Sequence, residues 1–148
     1  MLKTLKVVLA GAFLLALIAV LFYGWAWSEA RHAQGCDRFV IDSYELRTGV
    51  NIPELTSWNC HRDQSGRRIS VYTLDTDLED YIRKAGFLRT SQALDQLLFS
   101  FDLLEPDEQV WSNDLYTVSG LSGNGEPWRM VLDRVHARLW VEIQFATV

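Results

Sequence analysis

The chain has 148 residues, 49% of them hydrophobic, and carries 14 basic against 19 acidic residues for a formal charge of −5. All 19 acidic and 12 of the basic residues lie from Ser28 onward, so that part alone carries −7 and is poorly disposed to bind nucleic acid or anionic lipid through its general field. Its roughly 121 residues are a usual size for one domain with a sizeable core.

Residues 1–6 form a basic tip with Lys3 and Lys6. Residues 7–27 contain no charge over 21 positions, about the length a helix needs to cross a bilayer core of roughly 30 Å. A cleaved signal has an apolar run of about 7–15 residues followed by small residues. Here the run is longer and ends in Phe22, Tyr23, Trp25 and Trp27, rings that favour the headgroup level. Ser28-Glu29-Ala30 has the small-x-small form of a cleavage site, but the length and the aromatic end favour a retained signal anchor. Positive charge before the span places the tip in the cytoplasm and the following domain in the periplasm, with the anchor in the inner membrane.

Residues 28–35 read as a polar stalk, and residues 36–148 as the extracytoplasmic domain. Its only cysteines, Cys36 and Cys60, are expected to pair in an exported domain. The closed loop of about 25 residues corresponds to roughly 3 kcal/mol of chain entropy.

Phe39, Val40, Tyr44 and Leu46 have near-helical spacing, and Gly49 follows as a stop, which predicts a helix over 37–47. A strand over 55–61, a turn at 63–66 and a strand over 67–74 make a hairpin. Arg62, Arg67 and Arg68 flank that turn and read as solvated. Thr76-Asp77-Leu78-Glu79 has the form of a capping box with Thr76 as the cap, Leu78, Ile82 and Ala85 share a face, and Gly86 ends the helix with Phe87 closing over it. The acidic group Asp75, Asp77, Glu79 and Asp80 is explained by this helix start, where negative charge meets the positive end of the dipole. A further helix is expected from Thr90 or Ser91, with Leu94, Leu97, Leu98 and Phe101 inward, ending by Glu105-Pro106-Asp107.

The last third reads as β: a strand over 110–119, a glycine-rich turn at 122–125, and a hairpin of 128–132 with 138–145. Leu139, Val141, Ile143 and Phe145 form one row of the final strand, and Arg138, Trp140, Glu142 and Gln144 the other. One row is expected to meet the helices and the other water. The fold class is α+β: a transmembrane helix, then an antiparallel sheet packed on two to three helices.

No catalytic constellation emerges. His32, His61 and His136 lack metal-site spacing, and no cofactor is implied. Gly120-Leu121-Ser122-Gly123 fails the nucleophile-elbow pattern at Asn124. Trp111, Trp128 and Trp140 remain as partner-binding candidates, Trp140 flanked by Arg138 and Glu142, because aromatic residues on a sheet surface anchor partners. The combination predicts a membrane-anchored periplasmic binding module rather than an enzyme. It would be of the immunity or inhibitor kind, with a toxin or envelope protein as partner. The competing reading is an envelope enzyme or small-ligand carrier with a site assembled from scattered residues.

Overall fold

The computed structural model of the chain describes residues 2–32, 36 and 40–146, and it divides into two units, Met1–Arg38 and Phe39–Val148. Among the described residues, the first unit holds one helix, α1 (Leu2–His32). Within it, Gly11–Ser28 is long and apolar enough to cross a membrane, and none of that stretch is buried. Aromatic pairs line its end, Phe22 with Trp25 at 5.9 Å and Tyr23 with Trp27 at 6.3 Å between ring centroids. The helix continues to His32, so residues 28–32 of the expected stalk are helical, while 33–35 lie outside the described residues.

The second unit is built on six antiparallel strands: β1 (Leu55–Arg62), β2 (Arg67–Leu74), β3 (Leu88–Thr90), β4 (Leu115–Leu121), β5 (Pro127–Asp133) and β6 (Arg138–Gln144). Their order is β1-β2-β6-β5-β4-β3, with β1 and β3 at the edges. The side-chain period of two sends Arg68, Ser70, Tyr72, Leu139, Val141, Ile143, Trp128 and Met130 to one face. Ile69, Val71, Val131, Asp133, Trp140 and Glu142 go to the other.

Two helices cover the first face. α2 (Val40–Thr48) buries Val40 and Tyr44, and Gly49 N donates to Glu45 O with Gly49 in the left-handed region expected of a stop. Leu46 is 87% exposed, so it is not part of the inward face; Phe39 lies outside the described residues. α3 (Leu78–Ala85) starts one residue later than the capping box implies. Asp77, not Thr76, is the cap, accepting from the Glu79 and Asp80 amides at 3.1 and 3.2 Å. Its other end is as expected: Gly86 adopts φ 74°, and Phe87 is buried with its ring 5.6 Å from Tyr81. Across the ladder from β5, Gly120 leaves room for Trp128, since a Cβ there would come within 2.8 Å of the indole.

The second face does not meet water. Residues 91–112 lie over it as a strap, consisting of one helical turn, α4 (Leu94–Leu97), and a 3-10 turn (Phe101–Leu103). Leu94, Leu97, Leu98 and Leu104 are buried against Ile69, Val71, Val131 and Trp140. The inward set was therefore expected correctly, but the continuous helix was not. The amides of Phe99 and Ser100, which a helix would turn to its own carbonyls, donate to the Glu142 carboxylate at 3.0 and 2.9 Å. Thr90 belongs to β3 and pairs with Leu115. β4 begins five residues later than expected because Ser112 N and Asp114 N are diverted to the Asp133 carboxylate and the Ser112 hydroxyl. With both faces covered, five consecutive residues of β6, Leu139 to Ile143, are fully buried.

Candidate functional site

The five residues expected to form a partner-binding surface are parts of the closed interior or its fastenings. Trp140 is fully buried, and its Nε1 donates to Glu108 O at 3.0 Å. The water expected on its face is excluded by the strap. Glu142 is fully buried beneath the same segment. Arg138 donates to Asp107 O at 2.8 Å and Val110 O at 3.3 Å, clasping the strap. Trp111 is partly buried edge-on to Phe101, centroids 6.0 Å apart. Trp128 is buried on the opposite face, under the helices.

Three buried carboxylates gather on the strap side, each holding a different part of it. Glu108 accepts from Asn59 Nδ2 and meets His61 Nε2, both at 2.7 Å, joining the strap to β1. Asp133 accepts from Ser112 Oγ at 2.7 Å and meets His136 Nδ1 at 2.8 Å. Burial pushes its carboxyl up, but the hydrogen bonds from His136 and Ser112 outweigh this and hold it below its ordinary value. Glu142 shows the reverse balance: burial pushes it up to about 7 against the lowering effect of the Phe99 and Ser100 amides and Arg129.

A serine, an aspartate and a histidine in contact invite comparison with a nucleophilic relay. Such a relay needs the imidazole between the hydroxyl and the carboxylate. Here the carboxylate lies between, and among the described residues no hydrogen bond joins Ser112 to His136. Both groups cap the ends of β4 and of the β5–β6 turn. Among the described residues no three His, Cys, Asp or Glu side chains are placed to hold a metal ion.

On the helix side Glu126 is buried in an ion pair with Arg47 of α2, and the fully buried charge is positive. Arg68 is fully buried, its guanidinium 4.3 Å from the Tyr44 ring centre and 4.8 Å from that of Phe145, with Nη2 donating to Ser43 Oγ at 3.1 Å. The expectation of a solvated arginine fails here, because position 68 points under α2. Arg67 points to the strap side, where it bonds Asp63, Asp102 and Phe99 O. Cys36 and Cys60 are joined in a disulfide, and Cys60 packs beside the helix-side core.

Comparison with protein families, curated proteins and solved structures finds no match for this chain.

Among the described residues, the outer edge of β1 is left open. Thr56, Ser57, Trp58 and Asn59 are all exposed, Trp58 by 54%. At the turn end Asp63 N donates to Arg67 O. Alternation along an antiparallel pair then turns the main-chain groups of Asn59 and His61 toward β2 and those of Trp58 and Arg62 outward. The Cys60 amide, also on that edge, is met by Asn59 Oδ1 at 3.0 Å. Arg62 is exposed and makes no ion pair among the described residues. The opposite edge, β3, is three residues long and carries Arg89 paired with Asp114. Sequence reasoning passed over Trp58 because edge position depends on strand order. The uncharged run 55–60, which lacks the usual edge-blocking charges, was the available signal.

Proposed function

We propose that this chain is a single-pass, membrane-anchored binding module that takes up an extended segment of another protein along the edge of β1. The reading puts the anchor in a bacterial inner membrane and the domain in the periplasm. A partner there would be a toxin or an envelope protein, and the module would act on it as an immunity or inhibitor protein does. The observation that carries the reading is the β1 edge, uncovered among the described residues and carrying a half-exposed tryptophan, in a domain whose two sheet faces are both closed. Strand addition suits such an edge, because outward N–H and C=O groups supply affinity and an exposed ring supplies an anchor. Supporting the location are the uncharged span, the two lysines before it, and a disulfide that persists in oxidising compartments.

A photoreactive side chain placed at position 58 of the full chain in living cells tests the docking edge, with position 88 on the other edge as control. One discrete adduct with a different protein, formed from position 58 and not from position 88, is expected. Absence of an adduct at 58, or equal adducts from both positions, overturns the reading. A reporter fused after Val148 checks orientation: activity confined to the cytoplasm would overturn the periplasmic placement.

A further inference from the structure

We propose that Glu142 is a proton-operated latch for the strap, holding residues 91–112 closed while the carboxyl is protonated and favouring their release when it is ionised. The latch stands on its geometry. Glu142 is fully buried in the middle of β6 and reaches two consecutive strap amides, Phe99 N and Ser100 N, at the junction between α4 and the 3-10 turn. Ser100 is itself fully buried beside the carboxyl, and its side chain, like the two amides, acts in favour of the ionised form, so it is burial that sets the balance.

The charged groups around it do not neutralise it by contact. Arg129 lies directly across the ladder on β5, and no ion pair joins it to Glu142 among the described residues. Arg67 on β2 is held by Asp63 and Asp102, and it grips Phe99 O from the other side of the junction. On β1, His61 stands beyond Ile69 in the same cross-strand row and is bound to Glu108 of the strap. An ionised carboxylate in this place keeps its two amide bonds but gives up hydration, and burial is the larger effect.

The sign follows. The folded, closed state binds the Glu142 proton more tightly than any state in which water reaches the carboxyl. Closure is therefore fully supported below the ordinary carboxyl range and loses support as pH rises through about 7. In that window opening releases one proton, so the opening constant should rise about tenfold per pH unit between about 5 and 7 and flatten above. Release would bare the apolar row around Trp140.

Hydrogen exchange of the full chain in detergent or nanodiscs, corrected for the intrinsic pH dependence, reads this directly. The amides of the strap should exchange faster than those of β2, β5 and β6, with the stated slope, and Glu142→Gln should remove the slope while keeping an acceptor for the amides. Strap amides that exchange only as fast as the central strands would show that no separate opening exists and overturn the latch. An unchanged slope in Glu142→Gln would overturn it equally. If that variant does not fold, carbon-detected titration of Glu142 in the native chain decides: a midpoint at or below the ordinary carboxyl range is incompatible with the latch.

Discussion

The two faces of the sheet are closed by different means, although the strands offer both as apolar rows. On one side α2 and α3 lie over the sheet, each with local start or stop signals, and the buried charges are Arg68 on aromatic rings and Glu126 paired with Arg47 of α2. On the other side a strap with only one turn of α-helix is fastened through Glu108, Asp133 and Glu142, all three accepting from its main-chain amides. A helix satisfies its own backbone and needs only an apolar stripe. An irregular segment must find partners for its N–H groups, and carboxylates supplied by the sheet and by the strap itself do this. The difference explains why the strap side concentrates buried acids: they are the substitute for a helical ladder.

The strongest way to break this comparison is to show that the strap side is not a core. Trp140→Ala should lose about 3–5 kcal/mol in denaturant unfolding, the range for a core tryptophan, comparable with Leu139→Ala on the helix side at about 2–5 kcal/mol. A loss under about 1 kcal/mol at Trp140 alone would mean that water reaches its face. Next in size is the disulfide, which fastens residue 36 to the helix side of β1. Replacing both cysteines by serine should cost about 3 kcal/mol, and thiol labelling of the unreduced, unfolded chain should find no free thiol; two labels per chain would remove the bridge.

The helix side was the more legible of the two, for a physical reason. Gly49, Gly86 and the apolar spacing of Leu78 and Ile82 act within one turn of the chain, so their consequences appear in sequence order. The strap's partners do not. Glu142 lies 43 residues from Phe99 and Asp133 lies 21 residues from Ser112, and in sequence Glu142 reads as a member of a solvated row and Asp133 as part of the hairpin turn. The Leu94, Leu97, Leu98 and Phe101 spacing fits a helix equally well, and only the distant carboxylate decides against it. Trp140 was misplaced for the same cause, since alternation assigns it a face but says nothing of what covers that face. The edge that carries Trp58 was hidden in another way: strand order, not strand pattern, puts β1 outermost.

A smaller effect sharpens the local half of the comparison. Asp77→Ala should cost about 1 kcal/mol through loss of the α3 cap, whereas Thr76→Ala should stay within about 0.5 kcal/mol. The reverse order would restore Thr76 as the cap and shift the helix start by one residue.

The smallest stability effect is expected where neither face is involved. Trp58 points to the helix side of β1, but at the outer edge, and it remains 54% exposed. Truncating a half-exposed ring on an edge strand should change unfolding free energy by less than about 1 kcal/mol, well below a core tryptophan. Its effect on association should be disproportionate, because a ring at the centre of an added-strand interface can carry about 2 kcal/mol or more, a loss of roughly 30-fold in affinity. Trp58→Phe should recover most of that loss if the ring acts by area and rigidity. Affinity of the crosslinked partner for wild type, Trp58→Ala and Trp58→Phe, set beside their melting curves, measures both quantities at once. Equal loss of stability and binding in Trp58→Ala would make the ring a piece of packing and leave the β1 edge without its anchor.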